Sequence, residues 1–390
     1  MRLMLIKIGK IWSVLRRDGL LRGGRRVLSA CMALFKRVKP GDILFVTGGV
    51  GDSARYRTTN VSETLKVHGF TVAVTVQDNP FLTAYADKFS VFVFHRVLYT
   101  SRVAKLIEKI KTQKKEIIFD TDDLVYDPQF LKYMDYFQKM NLLERKLYEN
   151  GVGGEILADP YVTVCTTTTT FLAQKLREKG KRVLVVRNRM SEEDVTNAHT
   201  ILKSTCKDTT CVRVCYFSGT PSHNKDFATI SDALITLLQK YPQMRLVLAG
   251  PLDTEDKLTV YQQQIERVPF APRKEYFETL ARMDINLAPL EIGNPFCESK
   301  SELKWFEAGL VSVPTIAAAT QTFTEAITDG TDGFVARTTP EWIEKIENLI
   351  LDVSLRERMG HNARVSILAR YTTKSADDTE YYNYLREKRV

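Results

Sequence analysis

No run of eighteen apolar residues occurs anywhere in the 390-residue chain, so no stretch is expected to cross a membrane as a helix. Cysteine is sparse. The six (Cys31, Cys165, Cys206, Cys211, Cys215 and Cys297) form no CxxC pair, and none has a histidine at metal-ligand spacing. Spacing therefore offers no metal site, and Cys165 and Cys215, in strand-like runs, read as small core hydrophobes. A secretory leader pattern is also lacking, which makes reduced thiols and a cytoplasmic location the expectation. A clean G-x-G-x-x-G is missing too. Gly48-Gly49-Val50-Gly51 is the nearest approach, no acidic residue follows at the dinucleotide spacing, and nicotinamide binding is disfavoured.

Acidic residues are scarce only at the N-terminus. Residues 1–40 carry eleven Lys/Arg against Asp18, a surplus of ten; the whole chain is +9, which leaves −1 for residues 41–390. Leu5, Ile8, Ile11, Trp12 and Leu15 fit one helical face with Lys7 and Lys10 beside it, and Gly19, Gly23 and Gly24 divide the arm into two short amphipathic pieces. Such a segment suits an anionic membrane surface, at about 1 kcal/mol per cation near the lipid. It equally suits a helix packed on the protein with a solvated basic face. Aromatic residues are not interleaved through the basic run, so no nucleic-acid partner is expected.

Beyond the arm, strand-like runs alternate with helical ones, the signature of doubly wound α/β domains. Asp42–Thr47 leads into the glycine turn and then a helix with Arg55 and Arg57. Val91–Phe94 ends in His95 and Arg96, and Glu116–Phe119 ends in Asp120, Asp122 and Asp123. Ligands of open α/β sheets sit beyond the carboxyl ends of strands, where Gly49, His95, Arg96, Asp122 and Asp123 would converge. For His95 alone the bland reading is a satisfied strand-end histidine; for Asp122 and Asp123 it is helix capping, which can coexist with function. Helices are read over 129–149, 168–179, 274–282, 340–352, 354–369 and 375–388, and residues 190–211 are read as a polar hinge after a short helix. In the second half, Val212–Phe217 runs into Ser218-Gly219-Thr220, then His223, Lys225 and a helix. A strand, glycine turn and helix with a lysine can cradle phosphate. Gly250 ends the next strand, where a base or ribose could approach backbone.

The chain is organised around Asn294–Ala317. A polar loop containing Pro295 and Cys297 gives way to a helix with Leu303, Phe306 and Leu310 on one face and Lys300, Lys304 and Glu307 on another, followed by a short buried strand from Val313. Cations at a helix entrance attract phosphate, and a carboxylate further in can accept hydrogen bonds from ribose. By spacing alone, a solvated charge ladder is the commoner case.

Lys300-Ser301-Glu302-Leu303-Lys304-Trp305-Phe306-Glu307-Ala308-Gly309 with Val313-Pro314-Thr315 resembles the C-terminal signature of group 1 (family 4-like) glycosyltransferases of bacterial cell-surface polysaccharide biosynthesis. In that family two glutamates stand eight residues apart. Glu307 matches the second, whereas the first falls on Ser299, with Glu298 beside it. The K-S-x-L-K-x-x-E form of similar polysaccharide enzymes matches instead, so that Lys300 or Ser301 takes over the first position. Gly219 and Lys225 match a second family motif, while Thr220 replaces its arginine.

The resemblance implies a GT-B fold: two Rossmann-like domains facing across a cleft, plus the basic N-terminal helical arm. The expected organisation is an arm at 1–40, an acceptor domain at 41–205, a nucleotide-sugar domain at 206–370, and a helix at 371–390 crossing back to the first domain. It implies retaining, metal-independent transfer of a sugar from a nucleotide-sugar co-substrate to a cell-surface glycan or lipid-linked acceptor, with no further cofactor. The catalytic set it suggests is Glu307, Lys225, Lys300, His95 and Asp122. Gly219, Thr220, His223, Gly250, Ser301 and Lys304 would bind donor, and Gly49, Arg55, Arg57, Arg96 and Asp123 would face acceptor. The enzyme would be peripheral on the inner face of the cell membrane. Two alternatives are a non-catalytic donor-binding scaffold and a nucleotide-sugar epimerase.

Overall fold

Val91-Phe92-Val93-Phe94 offers no polar position to solvent on either side, the pattern of a strand covered on both faces, and all four residues are fully buried. The computed structural model describes residues 31–389 apart from 135–136, 138–139, 220–222 and 255, with isolated positions before 31. The amphipathic face at residues 5–15 and Thr220 lie outside the described residues.

The described strands form two six-stranded parallel sheets. The first joins β1 (Ile43–Thr47), β2 (Val72–Val76), β3 (Val91–His95), β4 (Glu116–Thr121), β5 (Val164–Thr167) and β6 (Arg182–Val185) in the order β2-β1-β3-β4-β5-β6. The second joins β7 (Val212–Phe217), β8 (Met244–Ala249), β9 (Ile265–Val268), β10 (Ile285–Ala288), β11 (Thr315–Ala318) and β12 (Phe334–Ala336) in the order β12-β11-β10-β7-β8-β9. Each sheet runs outward in one direction and then restarts on the other side of its first strand. The switch points therefore lie between β1 and β3 and between β7 and β10, where crevices open at the carboxyl ends of the strands.

The chain divides into two compact units between Arg187 and Asn188, and residues from Asp378 onward belong to the first. In that unit Ile43, Phe45, Val91, Val93 and Ile118 share a buried cluster with Tyr381, Tyr382 and Leu385 of the Thr379–Glu387 helix. Alternate residues of the strands face one side of the sheet, and the C-terminal helix covers that side.

Three local readings are corrected. Residues 190–211 are not an irregular hinge: Glu192–Ser204 is a thirteen-residue helix, opened by a capping box in which Ser191 and Asp194 satisfy one another's backbone N–H. The stretch 129–149 is not one helix but a short 3₁₀ segment, Pro128–Tyr133, and a separate helix, Leu142–Tyr148. The signature helix starts only at Leu303, and Pro295–Glu298 forms its own turn with Asn294 as cap. Lys300 thus precedes the helix and does not ride on the face that carries Lys304 and Glu307. The proline at the first helical position and the Asn294 side chain accepting from Phe296 N nucleate that turn.

Candidate functional sites

Strand register assembles the site of the first unit. Thr47 pairs with His95, His95 with Asp120, and Asp120 with Thr166, so these side chains occupy one row across the sheet. Asp120 is the hub. His95 Nδ1 lies 2.8 Å from Asp120 Oδ1, and Arg57 donates through Nε at 3.1 Å and Nη2 at 2.6 Å. Thr166 adds a hydrogen bond of 2.6 Å, and Arg57 also caps the Val186 carbonyl. Burial works against the charged form of Asp120, but the Arg57 charge and the His95 hydrogen bond outweigh it and hold the carboxyl below its usual range.

One step outward, Ser53 Oγ stands 2.9 Å from His95 Nε2 and donates to Asp122 Oδ2 at 2.8 Å. Arg96 donates through Nε to Asp122 at 2.5 Å and through Nη2 to Asp123. Burial disfavours the Asp122 carboxylate, and Arg96 more than compensates, so this carboxyl is also held low. Because ionised Asp120 can only accept, His95 carries a proton on Nδ1, and its Nε2 faces the half-buried Ser53.

Arg96 has φ +48°, a left-handed conformation that aims its carbonyl at the β1 turn. A Cβ on Gly48 would sit 1.9 Å from that carbonyl oxygen, so only glycine fits there. Gly49 is exposed with open space around it, and Arg55 opens a π-helical turn, Arg55–Asn60, that turns Arg57 inward.

The second unit has a similar close approach, between the turns that follow β8 and β7. Gly250 has φ +85°, and a Cβ there would meet the Ser218 carbonyl at 1.9 Å. Gly219 next to it is exposed and unobstructed. The Asn224–Ala228 helix places Lys225 outward and Asp226 inward, where Asp226 Oδ2 lies 2.9 Å from His223 Nδ1. Burial lowers the His223 pKa, Asp226 partly restores it, and the nearby charges of Lys304 and Lys300 lower it further. His223, Lys300 and Lys304 are thus electrostatic neighbours.

Lys300 Nζ rests 4.1 Å above the Phe296 ring. Lys304 donates to the Phe217 carbonyl and lies 4.9 Å from the Tyr216 ring centroid, and burial pulls its pKa down despite Glu307. Ser301 Oγ accepts from Asn188 at 3.1 Å. Ser299, where the family pattern has its first glutamate, is fully buried and donates to the Phe296 carbonyl at 2.7 Å. Glu298 accepts from the backbone N–H groups of Gly293 and Gln321.

Glu307 is engaged inside the unit. Its Oε1 accepts from Arg273 Nη1 at 3.0 Å and its Oε2 from the Tyr276 hydroxyl at 2.8 Å. Arg273 also pairs with Asp194 through Nε at 2.6 Å and Nη2 at 3.0 Å. This Asp194–Arg273–Glu307 chain, with Tyr276, was missed at the level of sequence, as were Ser53 and Asp226. Asp194 lies in the stretch read as a hinge, and nothing in sequence linked it to Arg273.

A family profile described as glycosyl transferase-like matches residues 231–376, a span that contains Lys300, Lys304, Glu307 and the supporting Arg273 and Tyr276. The matched span lies within the second unit. No curated protein matches the chain by sequence. Among solved structures, the chain is similar to Anabaena HepE in complex with UDP-glucose, at 15% identity and TM-score 0.56 over 89% of this chain and 98% of the other. A glycosyltransferase from Rickettsia africae matches at 13% identity and TM-score 0.59, covering 90% and 100%. WaaG, a glycosyltransferase involved in lipopolysaccharide biosynthesis, matches at 12% identity and TM-score 0.54, covering 88% and 99%. The fold is GT-B, as the sequence signature implied.

Proposed function

We propose that the chain transfers a sugar from a nucleotide-sugar donor to a cell-surface glycan or lipid-linked acceptor, with retention of configuration and without a metal in the transfer step. The carrying observation is the grouping of His223, Lys300 and Lys304 with the open Gly219 backbone at the β7 switch point, bordered by a span that matches the glycosyltransferase profile. A departing nucleoside diphosphate needs positive charge fixed in advance, and in this reading Lys225, Lys300 and the Gly219 N–H supply it. The likeness to HepE, whose structure holds UDP-glucose, makes UDP-sugars the first donors to try. In this reading Glu307, held by Arg273 and Tyr276, accepts from ribose hydroxyls of the donor.

In the first unit, Gly49, Arg55, Arg96 and Asp123 border the acceptor side, and His95 with Asp122 handles a proton there. The surplus of ten positive charges in residues 1–40 supports docking of this arm on the anionic inner face of the cell membrane. Sedimentation with anionic but not zwitterionic vesicles, lost on deleting residues 1–37, is the expected behaviour; equal sedimentation with both lipids contradicts it.

A second reading, a non-catalytic donor-binding scaffold, draws on one observation: Ser299 replaces a carboxylate while both Glu307 oxygens already have protein partners. Product analysis with radiolabelled donor decides. Label moved to an acceptor supports transfer, donor bound without turnover supports the scaffold, and isomerised donor without acceptor supports an epimerase.

A further inference from the structure

Segments far apart in sequence bring Asp226, Glu291 and Cys297 together, with one oxygen or sulfur from each within 4.8 Å of the others. Cys297 Sγ lies 3.2 Å from Asp226 Oδ1. That is close to the separation of neighbouring ligands around a tetrahedral zinc ion with Zn–S of about 2.3 Å and Zn–O of about 2.0 Å. The second Asp226 oxygen takes the His223 hydrogen bond at 2.9 Å, the kind of outer contact that orients a metal-ligating group.

A separate observation points into the same place. Tyr216 is fully buried and its hydroxyl has no hydrogen-bond partner among the described residues. After burial itself, the charges acting on this phenol are those of Asp226 and Cys297. A buried hydroxyl left without a partner is unfavourable, and a water held on a cation at the cluster would satisfy it.

We propose that Asp226, Glu291 and Cys297 bind a zinc-class divalent cation, with a fourth position open to water. One sulfur with two carboxylates favours zinc over magnesium or calcium, which take oxygen ligands. On binding, the Cys297 S–H bond breaks, a sulfur–metal bond forms, and one proton leaves to solvent. The cation ties the helix that carries Lys225 to the Pro295–Glu298 turn that precedes Lys300. This binding is independent of sugar transfer and is read without any nucleotide.

The test titrates the metal-free, full-length protein with Co²⁺ as a spectroscopic substitute and displaces it with Zn²⁺. One equivalent should produce a thiolate-to-cobalt charge-transfer absorption, and Zn²⁺ should abolish it. The absorption should vanish in Cys297→Ser and persist in Cys206→Ser, whose cysteine is exposed. Glu291→Gln, at a half-buried position, should weaken binding by about tenfold or more, and His223→Ala by about 10–100-fold. The Glu291→Gln variant carries the test if the buried Cys297→Ser does not fold. Absence of the absorption in wild type, its survival in Cys297→Ser, unchanged affinity in Glu291→Gln, or displacement by Mg²⁺ as readily as by Zn²⁺ would overturn the site.

Discussion

Asp120 takes hydrogen bonds from Arg57, His95 and Thr166 while almost fully buried, so its charge is stabilised only as long as those partners stay in place. Its folded pKa lies below the unfolded carboxyl value of about 3.9, as does that of Asp122. Stability from these carboxylates is therefore complete above about pH 4 and is lost as pH falls from there toward the folded values. Melting temperature against pH should show a steep acid limb below about pH 4. Asp120→Asn should flatten that limb and cost about 3–5 kcal/mol at neutral pH, because it leaves Arg57 buried without its charge partner. An unchanged acid limb in the variant would contradict the hub role. The same logic applies to Arg273, which holds two buried carboxylates, Asp194 and Glu307. Arg273→Met should lower stability by about 3 kcal/mol or more, read as a reduced urea midpoint.

At the level of elements, each unit presses a strand-end glycine against a neighbouring carbonyl, Gly48 after β1 against Arg96 and Gly250 after β8 against Ser218. Gly250→Ala combines a left-handed φ of +85° with a contact of 1.9 Å to the Ser218 carbonyl and should destabilise by about 1–3 kcal/mol. Gly219→Ala, with open space around it, should leave the melting temperature nearly unchanged. The Thr379–Glu387 helix belongs energetically to the first unit. Leu385 is fully buried against its sheet, and Leu385→Ala should cost about 2–5 kcal/mol. These elements differed in how well the sequence disclosed them. Strand β3 was plain because Val91–Phe94 are all apolar, and the C-terminal helix because Tyr381, Tyr382 and Leu385 share a face. The Glu192–Ser204 helix was hidden because much of its surface is polar, leaving few apolar positions to mark the period, although Ser191 and Asp194 held its capping signal.

For the whole molecule, the two doubly wound halves were legible from alternation of apolar runs and glycine turns, and the Lys300–Glu307 motif pointed to GT-B. The partners of the motif residues were not. Arg273 and Asp194 reach Glu307 from helices 34 residues before it and, through Arg273, a further 79 residues earlier. No local period carries such a contact. Asp226, Glu291 and Cys297 met for the same reason, by sheet topology rather than spacing.

The account rests on the second unit binding a nucleotide sugar at the β7 switch point. The measurement that tests it most directly is thermal stabilisation of the purified chain by a panel of nucleotide sugars, beginning with UDP-sugars. Lys225→Ala, at an exposed position, serves as the comparison and should keep the wild-type melting temperature without ligand. The prediction is a rise in melting temperature with one donor, saturating with concentration, and weakened about tenfold or more in Lys225→Ala as expected for a lost charge-assisted contact to diphosphate. No shift with any donor in the folded protein, or a shift undiminished in the variant, would contradict the donor site.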